Sequence, residues 1–223
     1  MTVLTRIRLH RASSDVMRSV SDPVDLHRKV MAGFGQVNGS SAREALGVLW
    51  RFEFDANQRP ILTIQSNTGG DWSALDPFVE SIDHKDIDPV LDALHAGQNL
   101  RFLLRANATR KINTKSGPDE VRRNGQRVPL RSPDKARDWL VRHGEVAGFG
   151  VVEGPGAPAV DIRSEAPNRG RRGSGVVTVE ATRFEGLLTV TEPVKLAQAV
   201  RTGIGPAKAF GCGLLSLAPG PLV

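Results

Sequence analysis

His27 is the residue whose type and setting best fit proton-transfer chemistry. It lies in the segment DLHRKV, residues 25–30, where Arg28 and Lys29 follow it directly. At 100° per residue His27 falls within the apolar arc of a predicted helix, where a lone histidine is usually a packed core residue. The two adjacent cations favour the other interpretation, because an imidazole can both accept and donate a proton near neutral pH. Both interpretations stay open from these residues alone.

A glycine-rich segment near the C-terminus is the second candidate site. Residues 203–213 read GIGPAKAFGCG and contain Gly203, Gly205, Gly211 and Gly213 together with Lys208. Such a loop can bring backbone N–H groups close to a phosphate. Its spacing fits neither a P-loop nor a dinucleotide fingerprint, since it follows a predicted helix and precedes a strand. A helix C-cap explains only the first glycine, so we favour a functional loop.

Arginine and lysine side chains form two further clusters that suggest contact with a polyanion. Arginine suits this role because its planar guanidinium binds phosphate through two hydrogen bonds. A solvated surface loop explains any one of these residues, but it explains the full set less well. The candidate nucleic-acid-binding residues are Lys29 on the predicted helix, together with the cluster Arg105, Arg110, Lys111, Lys115, Arg122, Arg123 and Arg127 and the cluster Arg169, Arg171 and Arg172.

The charge of the chain is unevenly distributed. The 223 residues carry 30 basic and 24 acidic side chains, a net charge of +6. Residues 1–100 hold 10 basic and 13 acidic side chains, whereas residues 101–223 hold 20 and 11, a net of +9. Most of this surplus lies in residues 101–142, with 12 basic against 4 acidic side chains. A local excess of this size favours a nucleic-acid partner.

Composition excludes several classes of protein. No run of 18 apolar residues occurs, so we expect no membrane segment, and the N-terminus lacks a signal-peptide core, which favours a cytoplasmic protein. A single cysteine excludes a disulfide framework, and none of the five histidines has a metal-ligand spacing. We therefore predict no metal and no cofactor. With no Tyr, 8 Phe and 3 Trp, the chain is poorly equipped to stack bases on a sheet like a generic RRM.

Hydrophobic periodicity and turn residues predict two successive βαββαβ halves, the ferredoxin-like (RRM-like) pattern of an α+β protein. We place the domains at residues 1–95 and 96–223. The predicted helices cover residues 23–32 after the N-cap Asp22, 87–96, 133–142 with Gly144 closing the helix, and 193–202. The predicted strands cover residues 2–10, 48–55, 60–65, 100–106, 149–152, 176–182, 186–191 and 213–217. Residues 66–86 and 168–175 are expected to be irregular.

The C-terminal run FEGLLTV…GIGPAKAFGCGLLSLAP, residues 184–219, closely resembles the C-terminus of the CasE family. These are the repeat-cleaving endoribonucleases of type I-E CRISPR systems, in the RAMP superfamily. The resemblance extends in collinear order to LRANATRK at residues 104–111, RVPL at residues 127–130 and the segment DLHRKV, residues 25–30. It therefore covers essentially the whole chain, and the glycine-rich loop is its specific part.

The resemblance implies two tandem ferredoxin-like domains with an active site at their junction. It implies metal-independent cleavage of CRISPR repeat RNA at the 3′ base of its stem-loop, with the product retained among the other subunits of Cascade. It assigns His27 and Arg28 to catalysis and assigns the glycine-rich loop and the run from Arg169 to Arg172 to RNA binding. The alternative is a non-catalytic, RNA-binding scaffold subunit of the RAMP type.

One position departs from the family pattern. Well-known members carry a tyrosine three residues before the histidine, where this chain has Val24, and the chain has no tyrosine elsewhere. Arg28, Lys29 and Lys208 are the cations that would compensate for the missing phenol.

Overall fold

The computed structural model describes residues 1–10, 18, 21–35, 41–112, 125, 127–152 and 160–220. Lys115, Arg122 and Arg123 lie outside the described residues. The helices are α1 (Pro23–Ala32), α2 (Ala42–Ala45), α3 (Asp88–Asp92), α4 (Pro133–Ala147) and α5 (Pro193–Thr202). The strands are β1 (Val3–Leu9), β2 (Leu49–Phe54), β3 (Pro60–Ser66), β4 (Val79–Asp86), β5 (Asn99–Ala106), β6 (Thr109–Lys111), β7 (Arg127–Pro129), β8 (Phe149–Val151), β9 (Asp161–Ser164), β10 (Asn168–Arg172), β11 (Gly175–Val179), β12 (Thr182–Val190) and β13 (Leu215–Pro219).

Two antiparallel sheets with the same strand order form the body of the protein. The first runs β2-β3-β1-β4, and the second runs β13-β5-β12-β8 with β9 also paired to β12. If the four main strands of each half are numbered 1 to 4 along the chain (β1 to β4 in the first half, and β5, β8, β12 and β13 in the second), both sheets have the order 4-1-3-2. This is the strand order of a ferredoxin-like fold. The predicted α+β class with tandem ferredoxin-like units is therefore confirmed.

The first half differs from its prediction between β3 and α3. Residues 79–86, expected to be irregular, form the edge strand β4, which pairs with β1. Their sequence VESIDHKD contains few apolar residues, so it shows no alternating pattern that could have predicted a strand. A 3-10 helix, Ser73–Phe78, lies where a second α-helix would stand, and the predicted helix at residues 87–96 is shortened to α3.

The second half differs at the end of α4 and in the basic hairpin. The helix continues past Gly144 to Ala147 and ends at Gly148, whose φ is +81°. A Cβ on Gly144 would lie 2.8 Å from the ring of Phe149, so this glycine permits close packing inside the helix. Residues 168–175, predicted to be a loop, contain β10 and the turn that leads to β11.

Each sheet buries one face against its helices. Leu26 and Val30 of α1 pack on the first sheet, and Trp139 and Leu140 of α4 pack on the second, as their helical spacing predicts. This burial stabilises each half by removing apolar surface from water.

Buried hydrogen bonds join the two halves. Gln65 on β3 donates from Nε2 to the carbonyl oxygen of Val200 at the end of α5, at 2.8 Å. Arg51 on β2 is also buried and donates to the carbonyl oxygen of Leu214 at 3.3 Å. Since unpaired buried polar groups are costly, these bonds specify how the two sheets meet.

Candidate nucleic-acid interface

The N-terminus of α1 is built as its sequence predicts. The Asp22 carboxylate accepts hydrogen bonds from the backbone N–H groups of Val24 and Asp25, at 2.8 and 3.1 Å, and Pro23 occupies the first turn. Burial of Leu26 on the next turn orients the helix so that His27 faces the C-terminal half.

His27 lies half-buried at the contact between the two halves. Its ring meets that of Phe210 edge-on, with the centroids 6.3 Å apart. Nδ1 is buried and finds no hydrogen-bond partner among the residues that the structure describes. Burial lowers the pKa of the imidazole below its ordinary 6.5, and the positive charges of Arg43 and Arg172 lower it further. The ring is therefore neutral near pH 7, the form that can accept a proton.

The cations that act on His27 come from distant parts of the chain. Arg172 ends β10, and the pleat places it on the same strand face as Gly170, which packs against the N-terminus of α1. Arg43 lies in the four-residue helix α2, where its Nη1 donates to the carbonyl oxygen of Val48 at 3.0 Å. Sequence reasoning missed Arg43 because an isolated arginine in a short polar segment has no distinguishing pattern.

Arg28 and Lys29 have a different setting from that expected. Both make ion pairs with Asp25, at 3.1 and 3.4 Å, and the Arg28 side chain is 71% exposed. The charges that lower the pKa of His27 are instead those of Arg43 and Arg172. The assignment of Arg28 to catalysis stays a prediction, and the structure offers these two arginines as further candidates.

Each glycine of the glycine-rich loop has a packing reason as well as a conformational one. All four have φ between +74° and +93°, which side-chain-bearing residues rarely adopt. Each also lies against a group that a Cβ would crowd. The closest approaches are 2.7 Å to Leu49 at Gly203, 2.9 Å to Trp139 at Gly205, 2.7 Å to Trp50 at Gly211, and 3.0 Å to the Ile204 carbonyl oxygen at Gly213. The contacts to Leu49 and Trp50 place the loop against the first sheet.

Arg105 holds this loop in place. Its guanidinium donates to the carbonyl oxygens of Phe210 and Gly211, at 3.2 and 3.0 Å, and pairs with Glu165 at 2.8 Å. Only 14% of its side chain is exposed. Beside it, burial raises the pKa of the Cys212 thiol to about 11, so this cysteine is an inert packing residue. Arg105 thus positions Phe210 against His27, and its own RNA contact stays a prediction.

The remaining basic candidates lie on two hairpins. Lys111 of β6 pairs in register with Arg127 of β7, and both side chains are exposed, as is that of Arg110. Arg169 and Arg171 are exposed on the face of β10 opposite Gly170 and Arg172. The two hairpins therefore present cations to solvent on short strands, an arrangement that suits contact with a phosphate backbone.

Lys208 is partly buried at the start of a second 3-10 helix, Lys208–Phe210. Burial lowers the pKa of its ammonium group, and Arg43 lowers it further, while Glu44 opposes this effect. Lys208 and His27 therefore share Arg43 as a neighbour. Val24 packs against Gly170 of β10.

A cleft of about 320 Å³ adjoins this site between the two halves. Leu26, Trp50, Arg183 and Phe210 are among its lining residues. Within the described ranges, no group of three or more His, Cys, Asp and Glu side chains could hold a metal ion. In the same part of the chain, no helix is long and apolar enough to cross a membrane.

Comparison with known proteins identifies the family. A family model described as CRISPR associated protein matches residues 3–219. The CRISPR-associated endoribonuclease Cse3 of Thermus thermophilus is 34% identical over 97% of this chain and 99% of its own length. A solved structure of Thermus thermophilus Cse3, bound to an RNA representing a pre-cleavage complex, has a TM-score of 0.79 at 33% identity and covers 98% of this chain and 99% of that one. The Cascade subunit CasE of Escherichia coli is 35% identical over 56% of this chain and 61% of its own length. The chain therefore belongs to the CRISPR-associated protein family.

Proposed function

We propose that this protein is a metal-independent endoribonuclease that cleaves CRISPR repeat RNA at the 3′ base of its stem-loop, in the cytoplasm. The observation that carries the proposal is a half-buried histidine that lies against Phe210 and whose pKa is lowered by burial and by the charges of Arg43 and Arg172, which come from different halves of the chain. The Thermus thermophilus relative, similar over its whole length, is named an endoribonuclease and was solved with RNA.

The reaction uses a nucleophile that the RNA itself supplies. The 2′-hydroxyl before the scissile bond loses its proton and attacks the adjacent phosphorus, while the bond from phosphorus to the 5′-oxygen of the next nucleotide breaks. The products are a 2′,3′-cyclic phosphate and a 5′-hydroxyl, whose oxygen takes up a proton. With Nδ1 of His27 buried, Nε2 is the ring nitrogen left to exchange a proton with RNA, and the lowered pKa suits its role as the base.

Positive charge around His27 stabilises the transition state. Negative charge builds up on the non-bridging phosphate oxygens as the 2′-oxygen attacks. Arg43 and Arg172 are the cations placed to offset it, with Arg28, Lys29 and Lys208 further out as contributors. A hydrogen bond to the carbonyl oxygen of Val48 holds the Arg43 guanidinium, so this cation needs little reorganisation when the charge develops. Strand pairing fixes the backbone of Arg172, whose side chain is exposed.

The C-terminal half holds the RNA. We assign backbone contacts with the stem to the exposed cations of the β6–β7 and β10–β11 hairpins, and to residues 113–124 between β6 and β7. In this proposal the domain at residues 1–95 supplies the catalytic histidine, and the domain at residues 96–223 supplies most of the RNA-binding surface. The Escherichia coli relative is a subunit of Cascade, and we propose that this chain likewise keeps its product within such a complex.

The proposal is tested by incubating the protein with repeat stem-loop RNA in EDTA and analysing the product ends. Cleavage with a 2′,3′-cyclic phosphate is expected. His27→Ala should lower the rate by about 10² to 10⁴ with little loss of binding, whereas the matched change at exposed His10 should leave the rate unaltered. Strict dependence on Mg²⁺, or full activity on RNA with a 2′-deoxy sugar before the cut, contradicts the mechanism. Tight binding without cleavage by the unaltered protein indicates a scaffold subunit instead.

A further inference from the structure

A polar pocket of about 260 Å³ lies next to the His27 site, between α2 and the C-terminal end of α5. The polar and charged side chains that line it come from both halves of the chain. They include Arg43, Glu44, Asn67, Gln198, Arg201 and Lys208.

The pocket has more positive charge than its own acid can balance. Arg43, Arg201 and Lys208 face one carboxylate, Glu44. Arg201 is already paired with Asp88 at 3.0 Å. In the described part of the chain neither Arg43 nor Lys208 makes an ion pair, and the two lie close enough for Arg43 to lower the pKa of Lys208. Two like charges held together in a partly buried pocket favour the binding of an anion.

The walls of the pocket are held by hydrogen bonds. The backbone N–H of Asn67 donates to the carbonyl oxygen of Leu46 at 2.8 Å, which anchors the turn after α2. Gly47 fits this turn because a Cβ would lie 2.5 Å from the Asn67 side chain. At the other wall, the Gln65 amide donates to the carbonyl oxygens of Val200 and Arg201, which offsets the negative end of the α5 dipole. These bonds fix the backbone on both sides of the pocket, and the Arg43 guanidinium is held by the carbonyl oxygen of Val48.

Arg43 connects the pocket to the cleavage site, since it acts on both His27 and Lys208. Arg172, the other cation at His27, belongs to the basic hairpin. An RNA strand that ran from this hairpin past His27 would therefore approach Arg43.

We propose that the pocket lined by Arg43, Arg201 and Lys208 binds a backbone phosphate of the RNA strand on the 3′ side of the scissile bond. This inference rests on the proposed function, because it needs an RNA whose stem is held by the hairpins and whose 3′ flank continues past the cut. It assigns to the protein a contact with the part of the substrate that cleavage releases.

The test compares two RNAs in EDTA over a range of salt concentrations. One ends at the scissile nucleotide, and the other carries a single-stranded 3′ flank with a 2′-deoxy sugar that blocks cleavage. The unaltered protein should bind the flanked RNA more tightly and with a steeper salt dependence, by about 0.7 in log–log slope for each phosphate held. Arg43→Gln combined with Lys208→Gln should abolish this difference. The charge-matched change of exposed Lys85 and Arg101 to Gln should preserve it.

A difference that survives in the Arg43/Lys208 variant, or that is absent from the unaltered protein, overturns the inference. If the double variant fails to fold, cross-linking to the unaltered protein tests the inference instead. A photoreactive nucleotide just 3′ of the cut should attach to residues 42–47 or 198–208. Attachment elsewhere also overturns the inference. If the protein cleaves the stem-loop but the 3′ flank changes neither the affinity nor its salt dependence, only this inference is refuted. If the protein fails to bind the unflanked RNA, the proposed function is refuted.

Discussion

Gly170 on β10 packs against the carboxylate of Asp22, which caps α1. A Cβ at Gly170 would come within 2.3 Å of Oδ1 of Asp22 and 2.9 Å of Val24. The strand that carries Arg172 and the helix that carries His27 therefore meet at a glycine, because only glycine lets them approach so closely. Through this contact the basic hairpin is held beside the histidine.

We expect Gly170→Ala to separate the hairpin from α1. The added methyl group would push β10 away or displace the capping carboxylate. The cleavage rate should then fall about 10-fold or more, because a displacement of about 1 Å moves catalytic groups out of their reactive positions. Gly175→Ala on the partner strand is the matched control, since the nearest atom to its Cβ is 3.5 Å away. Single-turnover rates at saturating RNA measure the effect. Equal rates for the two variants would contradict this account of the contact.

We expect Arg171 and Arg172, which lie on opposite faces of β10, to have different functions. Arg172→Gln should raise the pKa of His27 and move the acidic limb of the pH–rate profile to higher pH, because its charge lowers that pKa. Arg171→Gln, on the opposite face, should weaken RNA binding and reduce its salt slope by about 0.7 to 0.9 without moving that limb. Rate profiles and filter-binding isotherms of the two variants test this. A shift of the limb in Arg171→Gln alone would reverse the assignment of the faces.

We expect His27 to make the stability of the free protein depend on pH. Its pKa in the folded state lies below the unfolded value of 6.5, so the unfolded chain binds the proton more readily. The free energy of unfolding should therefore decrease as the pH falls below about 6.5, and His27→Gln should reduce this dependence. Urea unfolding between about pH 5 and 8 measures it, with exposed His10→Gln as the control. An unchanged slope in His27→Gln would show that the pKa is not lowered.

We expect Gly211→Ala to destabilise the protein more than Gly97→Ala. Both glycines have positive φ, +74° and +81°, so both substitutions carry a backbone penalty of about 1 kcal/mol. A Cβ at Gly97 has open space, whereas one at Gly211 would lie 2.7 Å from the Trp50 ring. This overpacking should add about 1 to 3 kcal/mol to the loss, measured by denaturant titration. Equal losses would mean that the loop can move away from Trp50 at little cost.

Local signals predicted much of the fold. The Asp22–Pro23 start of α1, the alternation in β1 and the apolar face of α4 each depend on neighbouring residues, so periodicity and capping rules are sufficient. Strand β4 was missed because it is an exposed, charged edge whose pairing with β1 depends on residues far away in the chain. The role of Gly144 inside α4 is likewise a matter of tertiary packing, because the ring of Phe149 lies where a side chain on Gly144 would otherwise stand.

By itself, the sequence determined that His27 stands on a helix, that the C-terminal half carries the positive charge, and that a glycine-rich loop precedes the last predicted strand. These are local properties of composition and spacing. Only the tertiary structure decided which charges act on the histidine: those of Arg43 and Arg172 lower its pKa, while Arg28 pairs with Asp25. The reason is physical, because electrostatic effects depend on distance through the folded protein, and that distance is set by packing between the two sheets rather than by separation along the chain.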